Sequence, residues 1–348
     1  MRGAARATAV VVALAFALPA CSDDPPNADL VAPAVSTTQA GTVQAGTVQA
    51  GTVLGGTVTT QPSGANTTLL EARLSAPNGR TAPPPAKSPS ELAQQIVVAE
   101  RGLRDASRNA AQLADLGHLQ QVAYRKLSIE PTWDAAVLAA LPSDLVATVN
   151  ANMRARRAFF EIKSGYADTV PAWEIVSPAP AESLLAFYKE AERATGIGWH
   201  YLAAINFIET GFGRIKGLST AGAQGPMQFI PSTWNESGIG KGDINDPHDA
   251  IQAAARYLVR RGGPADMRKA LFGYNNHNAY VDGVTAYADL MKSDDRAFAG
   301  FYNWEIYFST ADGDLWFPAG VYREPTQIKV VDYKAKSPWS ITGLKASS

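Results

Sequence analysis

Glu209 stands in Asn206-Phe207-Ile208-Glu209-Thr210-Gly211-Phe212-Gly213-Arg214, a single carboxylate among apolar and glycine residues, and the next acid is Glu236. A carboxyl at the end of an apolar helix loses hydration when it ionises, so its pKa rises and it can hold a proton near neutral pH. That is what a general acid needs. On the residues alone a structural role weighs equally: Glu209 could pair with Arg214 or accept from a backbone donor.

Ten residues on, Ser219-Thr220-Ala221-Gly222-Ala223-Gln224-Gly225-Pro226-Met227-Gln228 combines small residues, a flexible thioether and a hydrogen-bonding amide. Small residues let a ligand approach the backbone, so the stretch suits a groove that grips a polar polymer or, equally simply, a turn between helices. His118, His200, His248 and His277 are not paired at metal-ligand spacing. Asp243, Asn245 and Asp246 lack the remaining ligands and central glycine of a calcium loop, so neither metal nor cofactor is expected. No phosphate loop and no Gly-x-Ser-x-Gly elbow occurs.

Elements of recognisable pattern surround these residues. Ser88-Pro89-Ser90-Glu91 has the form of a capping box and opens a helix through Leu92, Ile96 and Leu103. Further helices are expected between Trp133 and Ile162, broken at Pro142. Trp199 to Thr210 is apolar nearly all round, as a central buried helix should be, and carries Glu209 at its end. Asp246-Pro247 caps a helix that stops near Gly262, Met267 to Tyr274 form one helical face, and a last helix is expected from Asn278 to Met291. Beyond Ser293, Tyr302, Trp304, Ile306 and Phe308 alternate as a strand, Asp312-Gly313 marks a turn, and Leu315 to Tyr322 and Ile328 to Tyr333 complete a small antiparallel sheet. Its aromatics could stack on sugars, but packing is the simpler expectation.

The 348 residues, 46% of them hydrophobic, suffice for a sizeable core. With 31 basic and 32 acidic residues no strong field favours nucleic acid, and a neutral or weakly charged ligand is expected. Arg2 and Arg6 precede an apolar run from Ala9 to Leu18 and the sequence Leu18-Pro19-Ala20-Cys21, which is the form of an export signal. From Ser22 to Lys87 the chain is rich in Thr, Ala, Gly and Pro, with Gln-Ala-Gly-Thr-Val copies at Gln39, Gln44 and Gln49, and a disordered tether is expected. The divisions are therefore residues 1–21 as signal, 22–87 as tether, 88–169 as a helical support, 170–292 as the chemical unit and 293–348 as a β extension.

Linked in order, Glu209-Thr210, Gly222-Ala223-x-Gly225-x-Met227-Gln228, Pro231-Ser232-Thr233, Ala254-Ala255-Arg256-Tyr257-Leu258 and Tyr274-Asn275 resemble the transglycosylase domain of bacterial lytic transglycosylases. The resemblance implies a mainly α, lysozyme-like catalytic domain whose substrate is the glycan strand of peptidoglycan. It implies Glu209 as the single catalytic acid and then base. Ser219 and Gln228 would bind sugar groups, Met227 would line the cleft, and Tyr274, followed by Asn275, would orient the acid or the acetamido group. In that chemistry the acid protonates the oxygen of the β-1,4 bond between N-acetylmuramic acid and N-acetylglucosamine while the acetamido group stabilises the anomeric carbon. It then takes the C6 hydroxyl proton as a 1,6-anhydro ring closes. Cys21 matches the lipidated residue of a bacterial lipobox, which implies an exported monomer held to a membrane by an N-terminal lipid. Two other readings remain: a goose-type lysozyme-like hydrolase using Glu236, Asp243 or Asp246 as a second acid, and a non-catalytic wall-binding lipoprotein.

Overall fold

Residues 74–162 and 165–346 are described by the computed structural model; the apolar N-terminal run, Cys21 and the Gln-Ala-Gly-Thr-Val copies lie outside the described residues. Ser88 Oγ accepts the Glu91 N–H at 3.2 Å and Pro89 takes the first helical position, which starts α1 (Pro89–Arg104). The Glu91 carboxylate reaches past the cap to the Lys87 N–H at 2.8 Å, so the capping box is only half made. Helices α2 (Ala110–Ile129), α3 (Asp134–Ala140) and α4 (Ser143–Glu161) follow, with Pro142 between the last two.

Next come the two-residue strands β1 (Thr169–Val170) and β2 (Glu174–Ile175), then α5 (Ala181–Thr195) and α6 (Trp199–Thr210). Beyond β3 (Ile215–Lys216), the chain runs through α7 (Pro231–Trp234), α8 (Pro247–Arg260), α9 (Met267–Tyr274), α10 (Asn278–Ser293) and α11 (Asp295–Tyr302). The remaining elements are β4 (Ile306–Thr310), β5 (Gly313–Phe317), β6 (Ile328–Lys329) and α12 (Val330–Lys336). The described residues are thus mainly helical with small antiparallel pairs, the fold class implied by the sequence.

At the centre lies α6, buried without interruption from Leu202 to Thr210 and packed by α5, α8, α10 and α11. A helix apolar on every side needs neighbours on every side, and each large side chain so buried contributes about 1.5–3 kcal/mol. One of those neighbours, α10, packs in turn along α4, where a Cβ on Gly283 would stand 2.5 Å from ring atoms of Phe159. The first helices therefore share one hydrophobic core with those that follow; Leu92, Leu127, Phe159, Ile205 and Tyr287 belong to the same cluster.

Order begins earlier than the tether boundary at Lys87 suggests. Ala76, Ala82 and Ala86 are buried, because Arg80 pairs with Glu305 and Gln95 Nε2 holds the Pro84 carbonyl at 3.0 Å. The C-terminal segment also departs from the expected sheet. β4 and β5 form a hairpin in the register Ile306↔Phe317 to Thr310↔Gly313, but β6 pairs with β1 instead, and Val330 to Lys336 is helical. Val330 and Tyr333, three positions apart, share the buried face of this helix, whereas a run this short does not by its apolar content alone distinguish helix from strand. Packing is the role of the aromatics: Trp304, Phe308, Trp316, Phe317, Tyr322 and Tyr333 are all 2% exposed or less.

Deleting residues 74–162 strips Phe159 and its neighbours from α10. We expect the shortened chain to lose its cooperative thermal transition, followed by near-ultraviolet circular dichroism; a melt matching that of the parent would contradict the shared core.

Candidate active site

Glu209 is the penultimate residue of α6 and is 1% exposed. The helix ends in an abrupt reversal: Gly211, Phe212 and Gly213 have φ of 59°, 65° and 85°. Glycine is required at 211 twice over, for its left-handed backbone and because a Cβ would lie 2.8 Å from Ile306 Cδ1. Phe212 holds a conformation that costs about 1–3 kcal/mol without glycine, and its ring is buried against Phe207 at 5.4 Å and Phe298 at 5.5 Å.

The carboxyl has one hydrogen-bond donor among the described residues. Tyr280 on α10 donates its hydroxyl to Oε1 at 2.9 Å, whereas Oε2 is buried with no hydrogen-bond partner. Burial pushes the Glu209 pKa well above the usual carboxylate range, and the Tyr280 hydrogen bond offsets this only in part. The C-terminal end of a helix carries partial negative charge, which disfavours the ionised form further. A proton on Oε2 removes the cost of a buried unpaired anion, so that oxygen is the natural seat of the acid proton. Burial, with Glu209 as a neighbour, also raises the Tyr280 phenol well above its ordinary value, so it remains a neutral donor.

Arg214 is not the partner of Glu209. Its guanidinium donates to the carbonyls of Gly211 at 2.8 Å and Tyr302 at 2.6 Å, on the side of Glu305.

A second wall is pinned directly to α6. Asn206 Nδ2 and Thr210 Oγ1, three residues before Glu209 and one after it, both donate to the Pro226 carbonyl, at 2.8 and 2.7 Å. Gln224 and Phe229 exchange backbone hydrogen bonds of 2.9 Å and close the turn, which needs glycine at 225 because a Cβ would strike the Ile244 carbonyl oxygen at 1.9 Å. Met227 is fully buried there. Gln228 adopts φ 49°, donates Nε2 to Gly225 O at 2.9 Å, and leaves Oε1 buried without a partner.

Tyr274, expected to orient the acid or the acetamido group, makes no hydrogen bond to Glu209. Its hydroxyl goes to the Met227 carbonyl at 2.7 Å, and its ring stacks on Tyr280 at 6.4 Å and an interplanar angle of 3°. The phenol six residues further along performs the contact. Sequence reading missed Tyr280 because it falls on the apolar stripe of α10; the available signal was that a tyrosine hydroxyl on a core-facing stripe needs a buried partner. Ser219 folds its own loop, its Oγ accepting from the N–H groups of Ala221 at 3.2 Å and Ala223 at 2.9 Å. Asn275 is the C-cap of α9, its N–H returning to the Leu271 carbonyl.

The other acids weighed from the sequence serve the surface. Glu236 pairs with Arg260 at 2.8 Å, and Asp243 Oδ1 accepts from the Asn245 N–H at 2.8 Å. Asp246, His248 and Asp249 bring ligand atoms within 4.8 Å of one another, but Asp246 caps α8 and Asp249 accepts from the Asp243 N–H.

A raised carboxyl pKa has a definite linkage sign. The native state holds the proton more tightly than the unfolded chain, so stability falls as pH rises from the ordinary value of 4.5 through the higher native one. Glu209→Gln, which keeps the shape and cannot ionise, should raise the melting temperature at about pH 8 and leave it near that of the parent at about pH 4. An equal effect at both pH values would contradict a buried protonated carboxyl.

The description "Transglycosylase SLT domain" belongs to the family model that matches residues 186–290, from within α5 almost to the end of α10. Searches of curated proteins and of solved structures returned no match. The matched span contains Glu209, the Gly222–Gln228 turn, Tyr274 and Tyr280, and its similarity to that family supports a lytic transglycosylase-type domain over these residues.

Proposed function

We propose that the chain is a peptidoglycan lytic transglycosylase in which Glu209 acts alone as acid and then base. The observation that carries this reading is the buried Glu209 carboxyl, with Tyr280 on one oxygen and, among the described residues, no hydrogen-bond partner on the other. With a neutral Glu209, Oε2–H donates to the glycosidic oxygen between N-acetylmuramic acid and N-acetylglucosamine as the bond breaks. The substrate's acetamido group stabilises the anomeric carbon in place of a second protein carboxylate. The resulting carboxylate, held by Tyr280, then takes the C6 hydroxyl proton while that oxygen closes the 1,6-anhydro ring.

A hydrolase needs a second acid to place water, about 6.5–9.5 Å from the first in an inverting enzyme. Glu236, Asp243 and Asp246 are engaged in surface ion pairing, loop closure and helix capping, which favours the single-acid chemistry. Because Glu209 is 1% exposed, the reading requires the side chains enclosing Oε2 to give way as a glycan strand binds. Gln228 Oε1, also buried without a partner, would accept a hydrogen bond from a sugar amide or hydroxyl. The N-terminal sequence supports export and lipid attachment at Cys21, which would confine the enzyme to the envelope where its substrate lies.

Mass spectrometry of muropeptides released from isolated peptidoglycan tests this directly. Anhydro ends without new reducing ends are expected from the parent, and Glu209→Gln should lower their release about 10²–10⁴-fold. New reducing ends, or undiminished digestion by Glu209→Gln, would reject the assignment.

A further inference from the structure

Tyr280 is in ring contact with a residue outside the matched span. Its ring lies parallel to that of Tyr274 and is met edge-on by Phe159 of α4, with centroids 6.4 Å apart and planes at 83°. Phe159 also stacks on Tyr287 at 6.2 Å and 13°, and it reaches the backbone of α10 at Gly283, where only glycine leaves room. Tyr280, Gly283 and Tyr287 lie three and four residues apart, so they form one stripe of α10, and a single ring from α4 covers it. Phe159 is 1% exposed and two residues from the end of its helix, and its own position follows from the packing of α4 along α10.

We propose that Phe159 is a positioning residue for the reaction: through the Tyr280 ring it fixes the hydroxyl that donates to Glu209 Oε1, so that α4, which precedes residues 186–290, completes the catalytic machinery. This rests on the assignment of Glu209 as the acid. The effect has a sign. A well-placed donor stabilises the carboxylate and holds its pKa below the value burial alone would give. Loosening the Tyr280 ring weakens that bond, so the proton is held more tightly. The alkaline limb of the pH–rate profile, where the acid form is lost, then moves up. At the same time the carboxylate formed in the first step is less well held, so kcat falls, while KM, set by sugar contacts elsewhere, changes little.

The test uses five variants of the purified chain on isolated peptidoglycan, with initial rates recorded across pH. Phe159→Leu, which keeps an apolar side chain in the core, should reproduce the upward shift of the alkaline limb and the loss of kcat seen in Tyr280→Phe. Combining the two should add little to Tyr280→Phe alone, because one acts through the other. Val149→Ala, a buried truncation elsewhere on α4, serves as the control and should lower the melting temperature while leaving the limb in place. If Phe159→Leu is too unstable to assay, Phe159→Met replaces it. A Phe159 variant that loses thermal stability but keeps the parent's limb and kcat, or effects that add fully in the double variant, would overturn the proposal. Glu209→Gln separates the two levels of the argument. If it is inactive while the Phe159 limb is unmoved, only the positioning role falls; if it is fully active, the assignment of the acid falls and the positioning role with it.

Discussion

The structure turns on one desolvated carboxyl. Glu209 is placed where ionisation is costly for two independent reasons, burial and the C-terminal end of a helix, and among the described residues it is given only one donor, on one oxygen. Such a group is stable only as long as its surroundings cannot rearrange to hydrate it. The surroundings are built accordingly. α6 is buried on all sides, the turn from Gln224 to Phe229 is nailed to it through Asn206 and Thr210 and to α9 through Tyr274, and the reversal after Thr210 is blocked from behind by Ile306.

That frame extends well beyond the residues around the acid. α2 holds the C-terminal segment with polar side chains. Gln121 makes two bonds to the Glu305 backbone, of 2.7 and 2.8 Å, and His118 shares a 2.7 Å hydrogen bond with Tyr307. Arg125 pairs with Asp314 at 2.6 Å, and Gln120 Oε1 accepts from Trp304 Nε1 at 2.8 Å. Buried polar contacts of this kind add little net stability but penalise any other docking position, since a shift leaves each group unpaired. Docked in this way, β4 sets Ile306 against Gly211. The path from α2 to the end of α6 is therefore continuous.

How much of this the sequence disclosed follows from the physics of each part. Glu209 was legible because a carboxyl closing an apolar run is chemically conspicuous, and α6, α8, α9 and α10 were legible from periodicity and caps such as Asp246. α2 was not, because the face it buries carries Gln120, Gln121, Arg125, Lys126 and Ser128, which read as solvent-exposed until their partners on distant elements are known. Tyr280 was hidden for the opposite reason, as an aromatic on a core stripe whose hydroxyl alone distinguishes it. Ser219 and Tyr274 were recognised as elements of a pattern, but pattern does not specify direction, and both turn their polar atoms to backbone partners.

The central claim concerns a proton, and it can be observed without substrate. Carbon-detected NMR of the side-chain carboxyl resonances, with Glu209 assigned by its disappearance in Glu209→Gln, gives the titration midpoint of that group in the folded chain. A midpoint well above the usual carboxylate range, moving higher still when Tyr280 is replaced by Phe, is the result that burial and a single donor predict. A midpoint at or below the ordinary value of 4.5 would contradict the account.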